Sequence, residues 1–171
     1  QTSSFEDSFT KFLPEFQMTM QFKRSERLQF NYNQRVNFTN VNQIAEGLVA
    51  NNYDSFFFGN NDIMNAEVQS MSLTYSSFNL FNYTNVLLTA SYNKTVDQIV
   101  SVPNFIPGSV VSTSTNLNLP FDVESFTSFG FIDKTFKKIR TRLQGRYTYF
   151  NGFQLFGANT NEIRRNVYSI S

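Results

Sequence analysis

The residues of this chain best suited to chemistry are three arginines separated by even numbers of residues and two carboxylates that precede them. Arg140, Arg142 and Arg146 would share one face of a strand, because side chains alternate sides along a strand. Guanidinium groups bind carboxylates and other anions through charge-assisted hydrogen bonds. The arginines therefore predict either a contact for an anionic ligand or structural charges that pair with carboxylates such as Asp122 or Glu124.

The two carboxylates offer a second chemistry if Asp122 and Glu124 share a face, namely an acid pair or a cation site. The chain has no His and no Cys, which removes the usual general base, the thiolate metal ligands and disulfide bonds. We therefore expect no enzyme activity, no metal site and no cofactor.

The composition limits the fold class and the partners. The 171 residues carry a net charge of +1 and only 16% charged side chains, so charge balance implies no nucleic-acid partner. The chain contains 21 Phe and 8 Tyr, and this aromatic content together with Asn, Ser and Thr favours strands and turns. No stretch approaches the roughly 18 apolar residues of a membrane helix. We expect one all-β domain over residues 1–171.

Long amphipathic strands are the elements that must position these side chains. From Ser25 to Phe38, apolar residues such as Leu28, Phe30 and Tyr32 alternate with amide and arginine side chains. The same type of pattern predicts about seven strands, at residues 16–22, 25–38, 70–76, 86–97, 117–131, 139–149 and 162–171.

The predicted connections alternate between short and long. Short turns are predicted at 23–26, 79–82 and 133–134, and long loops at 39–65, 98–115 and 151–161. Transmembrane β-barrels have short periplasmic turns and long outer loops, with apolar residues facing lipid and polar residues facing the lumen. We therefore predict an antiparallel transmembrane β-barrel wall. Arg140, Arg142 and Arg146 would form a lumen-facing basic patch, because charge facing mid-membrane lipid costs about 2–4 kcal/mol.

The first long loop contains the candidate contacts for a ligand or a partner. Loops of this length in compact domains are uncommon and are usually functional. Its aromatic run either packs the loop onto its own scaffold or contacts the ligand or partner. The candidate outer-loop contacts are Phe56, Phe57, Phe58, Asn60 and Asn61.

Several runs between Phe12 and Tyr92 carry a resemblance to a known family. In chain order they are Phe12-Leu13-Pro14 entering a strand, the turn Lys23–Glu26, the strand Arg27–Arg35, the run Thr39-Asn40-Val41-Asn42-Gln43-Ile44, and Gly59–Glu67 ahead of the strand Ser70–Tyr75. They resemble the outer-membrane β-barrel family of TonB-dependent-receptor-like proteins, which is common in Bacteroidota. Where that family has Pro-Ser-Ile-x-Gln-Leu-like and Gly-Asn-Pro-x-Leu-Lys-Pro-Glu-like runs, this chain keeps the Gln, the aliphatic residue, the Gly-Asn pair and the Glu, and lacks the prolines.

The resemblance implies a protein of the bacterial outer membrane that takes part in transport or ligand uptake. It implies a large barrel, typically of about 22 strands, with an N-terminal plug. No plug and no TonB-contacting segment is visible in these residues, and the last residue is Ser171 and not an aromatic, so we expect the chain to be part of a barrel wall. The expected partners are outer-membrane lipid and, through segments outside this chain, a plug domain and the TonB system. A plug is also a candidate contact for the arginines.

Three alternatives stay open at this point. The barrel could be a structural subunit of an outer-membrane secretion or surface-assembly complex, with a surface lipoprotein or other subunits bound to its long loops. The chain could instead be a secreted β-sandwich that binds glycans through Tyr and Asn. It could also close into a small barrel by itself, with Gln1–Phe12 supplying an eighth strand.

Overall fold

A computed structural model describes residues 10–44, 47–105, 108, 111–156 and 159–171, and in them the chain is all-β with very little helix. The expected all-β class is thus confirmed, and the main sheet is antiparallel, as expected. The elements are β1 (Glu15–Lys23), β2 (Glu26–Asn37), α1 (Val41–Ile44), β3 (Leu48–Asn52), β4 (Ser55–Phe58), β5 (Ala66–Asn79), β6 (Thr84–Val96), β7 (Ile99–Phe105), β8 (Ser112–Asn118), β9 (Val123–Phe136), β10 (Ile139–Phe156) and β11 (Asn159–Ile170). Within the described ranges, no helix is long and apolar enough to span a membrane.

Seven strands form the main sheet, in the order β1-β2-β5-β6-β9-β10-β11. All neighbours in this order pair antiparallel, and each of the seven predicted strands contributes residues to this sheet. In the part of the chain that the structure describes, β1 and β11 each pair on one side only, so the sheet is open at both edges.

The register gives the main sheet two faces of opposite chemistry, because residues paired across neighbouring strands point to the same side. One row across all seven strands is Met18, Phe30, Leu73, Ala90, Ser128, Tyr147 and Tyr168, and we call this side the apolar face. An adjacent row on the other side is Gln17, Asn31, Ser72, Ser91, Thr127, Thr148 and Val167, and we call this side the polar face. The amphipathic alternation predicted from the sequence therefore runs through the sheet.

The two long connections fold together into a second sheet, which we call the cap sheet. Its order is β3-β4-β8-β7, with β3 and β4 from the connection between β2 and β5, and β7 and β8 from the connection between β6 and β9. The central pair, β4 and β8, is parallel. The prediction of two irregular loops at 39–65 and 98–115 was wrong in this respect. Strands of four to seven residues have no alternation long enough to reveal them, and the pair β4–β8 joins segments far apart in the chain.

The buried apolar residues lie at the junction of the two sheets and not under the apolar face. Among the described residues they are Ile63, Ala66, Val68, Val102 and Leu119. On the apolar face, by contrast, Leu73 is 42% exposed, Leu88 48% and Leu143 61%. The largest apolar surface of the main sheet is therefore not covered by any described part of the chain.

Three details of the predicted connections were wrong. Asp133 and Lys134 lie inside β9, and the turn is at Lys137-Lys138, where Lys137 takes a positive φ of 51°. The predicted third long loop is instead paired strand up to Phe156 and again from Asn159, because the ladder to β11 overrides the weak strand preference of its Asn and Gly residues. The last connection is thus only residues 157–158, which lie outside the described residues, and the short/long alternation ends before it.

The remaining differences concern the predicted strand at 117–131 and the extra strand at the start. Leu117 belongs to β8 of the cap sheet, and the main-sheet strand begins only at Val123. The eighth strand proposed for Gln1–Phe12 falls largely on residues 1–9, outside the described residues, and residues 10–14 have no regular secondary structure.

Candidate functional site

Two of the three predicted patch arginines are bound to one carboxylate. Arg140 Nε donates to Asp133 Oδ1 at 2.9 Å, and Arg142 Nη2 donates to Asp133 Oδ2 at 2.9 Å. The Asp133 residue is only 3% exposed, while both guanidinium groups remain open to solvent. This ion cluster ties β9 to β10 beside their turn. Arg140 and Arg142 therefore have a structural role, although both guanidinium groups are still exposed to solvent.

Arg146 makes no ion pair with any described residue and lies over an aromatic ring. Its Cζ is 5.8 Å from the centroid of Phe129, and the Cζ of Arg142 is 5.2 Å from that of Phe131. Both rings share the polar face with the arginines, since Arg146 is paired directly with Phe129. Two large aromatic side chains of β9 therefore lie on the polar face. The guanidinium groups cover these rings through cation–π contacts.

The expected partners Asp122 and Glu124 do not pair with the arginines. Glu124 is paired with Asn151 across the β9–β10 ladder. Because Asn151 has an odd number and Arg142 and Arg146 have even numbers on the same strand, Glu124 points to the side of the apolar face. The Asp122 carboxylate binds Lys94 Nζ at 2.6 Å, and the Tyr92 hydroxyl donates to Glu124 Oε1 at 2.8 Å. In the described part of the chain, no group of three or more potential acidic ligands is placed to hold a metal ion.

The candidate outer-loop contacts belong mostly to the scaffold of the cap sheet. Phe56, Phe57 and Phe58 form β4, an inner strand, where the first two are half-buried and Phe58 is exposed. Asn60 Nδ2 donates to the carbonyl oxygen of Asn116 at 2.9 Å, and its Oδ1 accepts from the Asp62 amide. Asn61 is exposed. Of the five residues, Phe58 and Asn61 offer the most surface for contact.

A cavity of about 480 Å³ lies at the end of the polar face nearest the long connections. The ends of β2 and β6 and the starts of β5 and β9 form one wall, and the α1 segment and the start of β7 form the other. The lining residues are Arg35, Asn37, Phe38, Gln43, Ala66, Val68, Asn93, Thr95, Gln98, Ile99 and Ser125. Sequence analysis did not predict this site, because it exists only where both long connections fold back onto the sheet.

Arg35 is the only charged residue among the described residues that line the cavity. Among the described residues, its guanidinium group has no ion pair and no hydrogen-bond partner. The floor is formed by Ala66 and Val68, which are both buried. The one signal in the sequence was the position of Arg35 on the polar side of the strand alternation, which places it on a face but not in a cavity.

The polar face as a whole has an excess of positive charge. Its strand positions contribute six arginines and two carboxylates: Arg27, Arg35, Arg140, Arg142, Arg146 and Arg165 against Glu15 and Asp133. Six positive and two negative charges leave an excess of four positive charges. The face therefore favours anions at close range.

Comparison with known proteins adds no assignment: no protein-family model matches this chain, and no characterised protein matches it significantly.

Proposed function

We propose that the chain is a section of an outer-membrane β-barrel wall of the TonB-dependent-receptor-like kind, and that it takes part in ligand uptake or transport. The observation that carries this proposal is the uncovered apolar face of the main sheet. A soluble domain of this length buries most of its large apolar side chains. Here Leu73, Leu88 and Leu143 stay exposed on one side of a long sheet.

The height of the apolar face supports a membrane as the medium that covers it. On β10 the face extends from Ile139 to Tyr149, ten residues apart. Ten strand residues rise about 33 Å along the strand. With the tilt of about 40° that barrel strands adopt, this corresponds to roughly 25 Å across the membrane, which is the usual height of the lipid-facing band.

The polar face and the open edges support the same proposal. Ser, Thr, Asn and arginine side chains opposite the apolar face suit a water-filled lumen. The edge strands β1 and β11 are long and exposed along their length, and long exposed edges of this kind tend to pair with further strands. A barrel wall continued by neighbouring strands would satisfy both edges. The cap sheet would then lie at the outer end, where the long connections of such barrels are found.

The surface-assembly alternative is supported by one observation, the exposed apolar residues of the cap sheet. Leu48, Tyr53 and Phe105 extend from an ordered sheet, and ordered exposed apolar side chains suit a protein partner. Recovery of a stoichiometric partner from detergent-solubilised membranes would favour this role over transport. The glycan-binding sandwich has less support, because it requires a second sheet over the apolar face, and the cap sheet leaves that face exposed.

Fractionation of cells that produce the protein from its full gene tests the membrane assignment. We expect it in the outer membrane, resistant to extraction by alkaline carbonate and released only by detergent. Recovery in the soluble fraction without detergent would contradict the proposal and favour the secreted sandwich. A soluble periplasmic protein serves as the control for contamination between the fractions.

A further inference from the structure

We infer that the cavity around Arg35 binds a small organic anion that carries one carboxylate and several hydroxyl or amide groups. Sugar acids and short peptides with a free C-terminus share this chemistry. The inference rests on the proposed function only in treating the bound molecule as the cargo or ligand of the barrel. The binding itself follows from the lining of the cavity.

The charge of the lining selects an anion. Among the described lining residues Arg35 carries the only formal charge, and no described residue neutralises it. Several other cations of the main sheet have carboxylate partners, such as Lys94 with Asp122 and Arg140 with Asp133, whereas the unpaired Arg146 lies over the ring of Phe129. A lone guanidinium group in a concave site is complementary to an anion, which it can bind through two parallel hydrogen bonds.

The number of charges favours a carboxylate over a phosphate group. One guanidinium group balances the single charge of a carboxylate. A phosphate monoester carries between one and two negative charges at neutral pH, and a site with one cation leaves part of that charge unbalanced. The part of the chain that the structure describes supplies no second cation to this cavity. The single cation thus indicates a ligand with one negative charge in this position.

The other polar side chains indicate what surrounds the carboxylate. Amide groups and hydroxyl groups both donate and accept hydrogen bonds, and therefore recognise hydroxyl and amide groups on a ligand. Those that line the cavity and form no side-chain hydrogen bond with a described residue are Asn37, Asn93, Thr95, Gln98 and Ser125. This differs from the neighbouring amide of Asn118, whose Oδ1 and Nδ2 are both used by backbone groups. The cavity therefore offers hydrogen-bonding groups that the fold itself does not use.

The shape of the cavity limits the size of the ligand. A volume of about 480 Å³ lies in the range of sites for small molecules. Ala66 and Val68 form an apolar floor against which the carbon side of a sugar ring or a small side chain can pack. A ligand of one or two rings, or of two or three amino acids, fits this volume.

Calorimetric titration of the full native polypeptide in detergent tests the inference with matched probes. Galacturonate carries a carboxylate that galactose lacks, so this pair measures the contribution of the carboxylate in a sugar acid. N-acetyl-glycyl-glycine represents a short peptide with a free C-terminus. Inorganic phosphate tests whether the site prefers a singly charged carboxylate. We expect galacturonate or the peptide to bind at least tenfold more tightly than galactose and phosphate. Whichever of the two binds more tightly identifies the source of the carboxylate.

Two substitutions then connect the binding to the cavity. Arg35→Gln should weaken the preferred anion at least tenfold, and Arg35→Lys should weaken it less. Arg27→Gln is the matched control, because Arg27 lies on the same face of the same strand outside the cavity, and it should leave binding unchanged. Circular dichroism confirms that each variant is folded.

Several results would overturn the inference. These are equal affinity for galactose and galacturonate, tighter binding of phosphate, no binding of either organic anion, or unchanged affinity in a folded Arg35→Gln variant. Failure of the inference is distinct from failure of the proposed function. A protein that fractionates with the outer membrane but binds neither anion refutes only the ligand class. A soluble protein that binds the anion through Arg35 refutes only the membrane role.

Discussion

At the scale of single residues, Asp133 is the centre of the ion cluster on the polar face, because it binds two of the arginines. Its buried carboxylate receives Arg140 and Arg142 together, and the same Arg142 also lies over Phe131. A carboxylate removed from water is favourable only when cations and hydrogen bonds compensate for the loss of hydration. The sequence showed the three arginines, but the carboxylate that binds two of them lay in a segment that was predicted to be a turn.

Replacing this carboxylate should therefore destabilise the sheet. In Asp133→Asn, two neighbouring guanidinium groups lose their shared counter-charge and repel each other, so we expect a lower urea midpoint for unfolding in detergent. Asp122→Asn is the matched control, because the Asp122 carboxylate that pairs with Lys94 is much more exposed than that of Asp133, and solvent screens such a pair. The interpretation of Asp133 would be wrong if Asp122→Asn lowered the midpoint as much.

At the scale of elements, the sequence predicted the main sheet well and the cap sheet not at all. The period-two alternation located all seven strands of the main sheet because each pairs over many residues and has one apolar side. The cap strands are short, and β4 pairs in parallel with β8, more than fifty residues later. No local pattern encodes such a partner, so the cavity that depends on it could not be predicted either.

One amide side chain makes three hydrogen bonds that join the two long connections beside the cap sheet. Asn118 Oδ1 accepts from the Met64 amide at 2.7 Å, and its Nδ2 donates to the carbonyl oxygens of Met64 at 2.9 Å and Asp97 at 2.6 Å. The Asn118 side chain thus forms hydrogen bonds with backbone groups of two segments that are distant in the sequence. Its neighbour Leu119 is buried at the same junction.

Removing this amide should loosen the cap sheet without unfolding the main sheet. For Asn118→Ala we expect the amides of β4 and β8 to exchange hydrogen at least tenfold faster, which corresponds to about 1.4 kcal/mol. Asn104→Ala is the control, because the Asn104 side chain is exposed and makes no hydrogen bond with the described residues. Hydrogen-exchange mass spectrometry measures both. Equal exchange in the two variants would show that Asn118 does not join the connections.

At the scale of the whole molecule, the main sheet has two faces of different chemistry. One side presents a mainly apolar surface with exposed leucines, and the other presents hydroxyl, amide and guanidinium groups with an excess of positive charge. The transmembrane wall that we propose would account for both faces, because lipid would cover the first and water the second. It also accounts for the small buried core, which is confined to the junction with the cap sheet.

The most direct test of this account is the environment of adjacent side chains on opposite faces. The chain has no cysteine, so single cysteines at Leu73, Ser72, Leu88 and Thr89 can each carry a fluorophore without background labelling. In native outer membranes, labels at 73 and 88 should be quenched by nitroxide lipids, and labels at 72 and 89 by aqueous iodide. Equal quenching of all four labels by iodide would contradict a lipid-facing apolar side, and with it the proposed barrel wall.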